Sequence, residues 1–201
     1  MEVYKAILKR RTIRIFKNKK ISKKTLEKLV NAARLAPSAR NLQPLEYLVV
    51  NDPKLCDLIF ENVYFGGEVE KLRKKENRPV AYILVLVNKK IRNSGFEHDV
   101  GLAVGNIVLA AFERGIGCCI LGAIEREKIK KIFRIPKNYY LDLVVALGYP
   151  AEKPVLEEGE GKYWRDEKEV LHVLKRPLIK FYIGINLNEI CSNFWKLEKS
   201  K

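Results

Sequence analysis

The sequence predicts an α+β sandwich, and three observations carry that prediction. Helical and strand patterns are both present but do not alternate strictly, so the rhythm of a doubly wound sheet is missing. The longest apolar run, 80–87 (VAYILVLV), has the length of a buried strand and is far too short to span a bilayer. No GxGxxG follows a strand; Gly115-Ile116-Gly117 precedes one, which argues against a Rossmann dinucleotide unit. At 201 residues the chain can bury one substantial core, and no linker obliges a split. A single domain over 1–201 is expected, with 178–201 as a C-terminal tail.

Residues 2–9 read as a short helix with Val3, Ala6 and Ile7 on one side. A second helix begins at the capping residue Ser22 and carries Leu26, Leu29, Val30 and Ala33 at helical spacing. It ends near Leu35, because Pro37 biases Ala36 away from the helical region. Residues 46–50 form a strand, and Asp52-Pro53 supplies the cap and first-turn proline of a helix through Ile59. The stretch 63–78 is polar, contains glycine and has no period, so a loop or a short irregular helix is expected there. After the strand 80–87 a long apolar helix covers 99–114, with Asp99 at its positive end and Gly115 placed to stop it. Ala103, Ile107, Ala110 and Ala111 give it a small apolar side. A strand over 118–121, a helix over 125–133 and a buried strand over 141–147 follow. Beyond Pro150 regularity declines: 157–165 is charged and broken by glycine, before apolar content resumes at 170–173 and 177–194.

Composition limits the chemistry. Apolar residues make up 47%, which excludes disorder by composition. Lys+Arg 39 against Asp+Glu 24 leaves a net charge of +15, an excess that attracts phosphates, nucleic acid or acidic membranes. It is dispersed over 17–24, 71–75, 128–131 and the C-terminus, the distribution of a solvated surface rather than of one groove. Interleaved exposed aromatics and a recognition helix are missing, so neither nucleic acid nor membrane is expected as a partner. The opening residues lack the apolar segment of a signal peptide, and a soluble cytoplasmic protein is expected. Cys56, Cys118, Cys119 and Cys191 fit neither a zinc site nor a CxxC motif, and Cys118 and Cys119 should point to opposite faces of one strand. With only His98 and His172, there is little material for a nucleophilic triad or a His-based metal site. No catalytic side chain and no metal site are expected; the chemistry belongs to a bound cofactor.

Three clusters could hold one. Arg10-Arg11-Thr12-Ile13-Arg14 runs from a helix end into an extended stretch, where Arg10, Thr12 and Arg14 would share a side. Guanidinium forks and a hydroxyl match phosphate oxygens; the plainer reading is a basic helix end. The loop Ala36-Pro37-Ser38-Ala39-Arg40-Asn41-Leu42-Gln43-Pro44 is bracketed by prolines and offers Ser38, Asn41 and Gln43. Such a loop suits the edge of a planar heterocycle, or it is a rigid turn satisfying its own backbone. Lys175-Arg176-Pro177 is a second basic pair.

In order and content these segments resemble the nitroreductase family of FMN enzymes. The RRTIRIF, APSARNLQP, HDVGLAVGNIVLAAFERGIGCCILGA, IPKNYYLDLVVALGYP and LKRPL stretches are similar to family signatures, from roughly Tyr4 to Leu178. The resemblance implies a three-layer sandwich, a central mixed and mainly antiparallel sheet flanked by helices. It implies FMN, NADH or NADPH as electron donor, a small acceptor such as a nitroaromatic, quinone or flavin, and ping-pong turnover at flavin N5. It further implies a homodimer with sites built from both chains and the tail 178–201 packed on the partner. Arg10 and Thr12, with Arg11 beside them, then look like phosphate and ribityl contacts, closed from the other end by Lys175 and Arg176. Arg14 is similar in position to a basic residue near the flavin pyrimidine. Pro37, Ser38 and Asn41 would lie against a flavin held mostly by the other subunit, with Gln43 also counted as cofactor-binding, and Leu121, Gly122 and Ala123 match the strand end near N5. Thr12 stands where the family more often has Ser, and Leu45 where an aromatic often follows Gln-Pro. The alternatives are an offshoot using FMN for reductive dehalogenation or flavin fragmentation, with 62–79 or 157–173 as a lid, and a basic nucleic-acid-binding module.

Overall fold

The computed structural model describes residues 2–66, 70 and 73–181. The chain divides into two compact units, Met1–Lys153 and Pro154–Lys201. The first carries helices α1 (Val3–Lys9), α2 (Lys23–Arg34), α3 (Pro53–Phe60), α4 (Glu97–Glu113) and α5 (Arg126–Ile132). Its strands are β1 (Phe16–Lys17), β2 (Leu45–Val50), β3 (Ala81–Asn88), β4 (Gly117–Leu121) and β5 (Tyr139–Pro150). Among the described residues no helix is long and apolar enough to cross a membrane.

The five strands form one sheet. β3 lies between β2 and β5, while β5 also pairs with β4 and with the short β1, all antiparallel. Within this unit the parallel component is the Thr12–Cys118 bridge. The apolar run at 80–87 becomes β3 because both faces of the sheet are covered. Ile83, Val85 and Val87 pack with α2 and α4, and Tyr82, Leu84 and Leu86 pack with Cys56 and Ile59 of α3 and Ile129 of α5. The alternation along β4 follows suit: Cys118 enters the first core and Cys119 the second. A sheet between two helical layers is the three-layer arrangement expected.

Local chemistry sets three of the helix boundaries. Ser22 accepts a hydrogen bond from the Thr25 N–H at 3.2 Å, and Asp52 accepts from the Leu55 N–H at 3.0 Å with Pro53 opening the turn. Gly115 follows α4 with φ +69°, the left-handed residue that ends it. Asp99 lies in the first turn of α4, at its positive end as expected, though the helix begins at Glu97 and Asp99 is buried. Two details differ. α1 buries only Ala6; Val3 and Ile7 are exposed, so its apolar side does not face this unit's core. β5 runs well past 141–147 at both ends, because β3, β4 and β1 all pair with it.

The second unit, expected to be irregular, holds a three-stranded sheet. β6 (Val155–Glu158) pairs parallel to β8 (Leu171–Lys175), and β7 (Tyr163–Arg165) pairs antiparallel to it. Its strands are largely exposed, so they lack the apolar pattern that marks a strand in sequence. His172 ties the sheet together: Nδ1 is 2.6 Å from Glu157, Nε2 is 3.5 Å from Asp166, and the ring stacks on Trp164 at 4.3 Å. The hydrogen bond to Glu157 outweighs burial and raises the His172 pKa above its usual value. The lid candidate 157–173 is therefore ordered sheet and turn. Part of the other, 62–79, and the tail beyond Phe181, including Cys191, lie outside the described residues.

A pair of facing glycines seats the N-terminal segment on the first sheet. Gly117 and Gly148 are cross-strand partners. A Cβ at Gly117 would lie 2.6 Å from Ile13 Cγ1, and one at Gly148 would lie 2.6 Å from Phe16 Cδ1. Ile13 and Phe16 are both buried, so neither can move aside freely. Gly148→Ala is expected to cost roughly 1–3 kcal/mol in urea unfolding. Adding Phe16→Leu should recover part of that loss, and an unchanged midpoint in the single variant would contradict the contact.

Candidate functional site

Residues 10–16 carry the first cluster across the sheet. The Ile13 N–H donates to the Cys118 carbonyl at 3.0 Å, and Glu152 accepts from the Arg14 N–H at 2.5 Å and the Ile15 N–H at 3.1 Å. The side chains separate. Arg11 folds back and donates to the Leu8 carbonyl at the end of α1, the role of an ordinary basic helix end. Burial, then the charge of Arg10, lowers the pKa of its guanidinium. Cys119 lies in the core opposite Cys118, and the Arg14 charge works against the burial that raises its pKa. Arg10 and Thr12 remain on the Cys118 side. Neither side chain has a hydrogen bond or ion pair with a described residue.

The second cluster is the most unusual backbone in the molecule. Arg40, Asn41 and Gln43 all adopt positive φ, at 55°, 54° and 51°. Non-glycine residues rarely enter this region, and three within four positions persist only where surroundings impose them. Part of the restraint is local: Ser38 Oγ accepts from the Gln43 N–H at 3.0 Å, and the Gln43 amide donates to the Asn41 carbonyl at 3.3 Å. The rest is a carboxylate. Asp99, 3% exposed, accepts from the Ala39 N–H at 3.0 Å and from Arg92 at 3.2 Å. Pro37, Ser38 and Gln43 line a cavity of about 160 Å³ that Asp99 and Tyr47 also reach. Burial pushes the Tyr47 phenol up to about 12, so it stays protonated. Asn41 is exposed, and its side chain makes no hydrogen bond with a described residue.

The third position is the end of β4. Leu121 is buried, and Gly122 and Ala123 are exposed. The Gly122 carbonyl accepts from Arg126 at 3.1 Å and the Ala123 carbonyl from the Tyr64 N–H at 2.9 Å. A Cβ at Gly122 would meet nothing within 4 Å, and its φ lies outside the left-handed region. Neither packing nor backbone angle therefore requires glycine there. An exposed, space-bearing glycine, with an Asn41 amide and an Arg10 guanidinium that have no partner among the described residues, fits a planar anionic cofactor such as FMN. Lys175 and Arg176 belong to the second unit, where Lys175 ends β8 and Arg176 lies over the Phe181 ring at 4.3 Å.

Sequence reasoning missed the groups that hold these positions. Asp99 and Arg92 anchor the 38–43 loop, Glu152 pins the backbone at 14–15, and Arg126 with Tyr64 binds the strand end. Only Asp99 carried a local signal, and that signal pointed to the helix dipole. The buried thiols are quiescent: burial pushes Cys56 and Cys118 up to about 12 and Cys119 up to about 11.

The Nitroreductase family model matches residues 7–149. A candidate NADH dehydrogenase/NAD(P)H nitroreductase of Archaeoglobus fulgidus is 34% identical over 169 residues, covering 81% of this chain and 93% of the relative. The solved structure of a candidate nitroreductase of Desulfovibrio desulfuricans in complex with FMN superposes with a TM-score of 0.71 over 93% of this chain and 98% of that one, at 22% identity. A structure of oxidised iodotyrosine deiodinase bound to FMN and 3-iodo-L-tyrosine superposes with a TM-score of 0.61 over 83% and 96%, at 28% identity.

Two measurements check this geometry. Asp99→Ala should lower stability by roughly 3 kcal/mol in urea unfolding, because Arg92 loses its buried counter-charge; Asp99→Asn, which keeps an acceptor for Ala39, should cost less. Thiol titration at about pH 8 should leave Cys56, Cys118 and Cys119 unmodified until the protein is denatured, since the thiolate is scarce below the raised pKa. Rapid native-state modification of any of the three would contradict their burial.

Proposed function

The chain belongs to the nitroreductase family, and from that premise we propose that it binds FMN and passes electrons from NADH or NADPH to a small acceptor by a ping-pong mechanism. The observation that carries the reading is the 38–43 loop. A buried carboxylate anchors the loop at Ala39, and the left-handed residues that follow leave the Asn41 amide without a partner among the described residues. Backbone strain of this kind is retained where preorganisation serves binding.

The protein's own residues supply position and charge. Arg10 offers a guanidinium fork without a partner among the described residues and Thr12 a hydroxyl, suited to the phosphate and ribityl groups. Asn41 and Ser38 offer hydrogen-bonding groups to the edge of a ring. Gly122 leaves room for a close approach to main chain at the end of β4. FMN, when bound, supplies hydride acceptance and donation, so no side chain is needed as a nucleophile. A second copy of the chain would cover apolar surface that is otherwise open to water. Val3 and Tyr4 of α1 are 68% and 70% exposed, Leu102 of α4 is 49% exposed, and Gly101 and Gly105 beside it have open space around them.

A second reading is a deiodinase-like use of the same site, favoured by the 28% identity to iodotyrosine deiodinase. Anaerobic titration of the FMN-loaded protein with NADH and then NADPH separates the two. Bleaching of the flavin band, followed by reoxidation with a quinone or nitroaromatic, is expected; no bleaching by either nucleotide contradicts the main reading. Arg10→Glu should weaken FMN affinity by at least ten- to a hundred-fold, the equivalent of about 1.5–3 kcal/mol for a charge-assisted contact. Fluorescence titration with FMN measures that loss.

A further inference from the structure

The end of β4 must turn at once into α5, and nothing in the sheet ladder beyond Leu121 holds it. β5 is irregular at this level: Val85 pairs with Leu143 and Leu86 with Leu141, leaving Asp142 as the extra residue of a bulge. Arg126, the first residue of α5, closes the gap. Its Nε donates to the Leu141 carbonyl at 3.2 Å, and its Nη2 donates to the Asp142 carbonyl at 3.0 Å and the Gly122 carbonyl at 3.1 Å. One planar guanidinium thus joins the bulge to the strand end. Lysine can match the charge but not the fork. On the other side the Tyr64 N–H takes the Ala123 carbonyl, the Glu125 N–H donates to the Asn62 carbonyl, and Val63 bridges Ile124.

Peptide planarity gives these contacts a direction. In a trans peptide the C=O of one residue and the N–H of the next point opposite ways. Binding the Gly122 carbonyl to Arg126 therefore turns the Ala123 N–H away from Arg126, and no carbonyl among the described residues accepts it. Ala123 is exposed, and the neighbouring Gly122 adds no side chain to cover it. We propose that Arg126 is a positioning residue, whose clamp on the Gly122, Leu141 and Asp142 carbonyls holds the Ala123 N–H outward as a fixed hydrogen-bond donor to the bound flavin. The inference rests on the FMN reading above and assigns the donor within it. Arg126 has no ion-pair partner among the described residues, so its charge also stays at this strand end.

The test compares wild type with Arg126→Gln and Arg126→Lys in three measurements: thermal midpoint without FMN, Kd for FMN by fluorescence, and midpoint potential of the bound flavin. The Gln variant should bind FMN about tenfold more weakly, with the potential shifted to more negative values, and the Lys variant should fall between it and wild type. A lowered thermal midpoint with unchanged Kd and potential marks a merely structural role and overturns the inference. Should the Gln variant fail to fold, wild-type Kd and potential in the Lys variant overturn it equally. Wild-type protein that takes up no FMN fails the functional reading itself, a result distinct from either.

Discussion

The first unit depends on a sheet buried on both faces. β3 and the middle of β5 are so enclosed that successive side chains must enter different cores, one shared with α2 and α4 and the other with α3 and α5. Such a sheet offers no free face for chemistry, so polar function is confined to the chain that crosses or leaves it. Three segments do so: the crossing at residues 10–16, the loop before β2 and the turn after β4. The glycine pair 117 and 148 lets the first of these lie directly against the sheet, because any side chain there would occupy the space of Ile13 and Phe16.

Each segment is then fixed by a polar side chain: Glu152 and Asp99 reach from far along the chain, and Arg126 from the start of the next helix. Glu152 holds the backbone at Arg14 and Ile15, Asp99 holds Ala39, and Arg126 holds Gly122. These bonds go from side chain to main chain, so they set backbone direction without engaging the side chains of Arg10, Thr12 and Asn41, which have no partner among the described residues. Preorganisation of this kind matters for a ligand whose charge and ring must be met at once: groups already in place lose less entropy on binding. Arg10 and Arg11 also carry adjacent like charges, an arrangement that a bound dianion relieves.

Legibility in the sequence followed the range of the interaction. Ser22, Asp52, Pro53 and Gly115 act within a turn of their own position, and the boundaries they set were readable. The alternation of Cys118 and Cys119 was readable for the same reason. The prolines around 37–44 marked a rigid loop, but its left-handed residues were not foreseeable, because the carboxylate that restrains them lies in α4. Arg126 and Glu152 look like ordinary surface charges until the fold brings carbonyls and N–H groups to them. β6 and β7 were hidden because strands of four and three residues are too short to show a period, and their pairing depends on β8.

The central claim is that these three prearranged segments form one cofactor site. It is tested most directly by the visible absorption spectrum of the purified chain, stripped of small molecules and titrated with FMN. The account predicts saturable uptake of one FMN per chain, with a perturbed flavin band that survives gel filtration. A spectrum that remains that of free FMN at every concentration would contradict it.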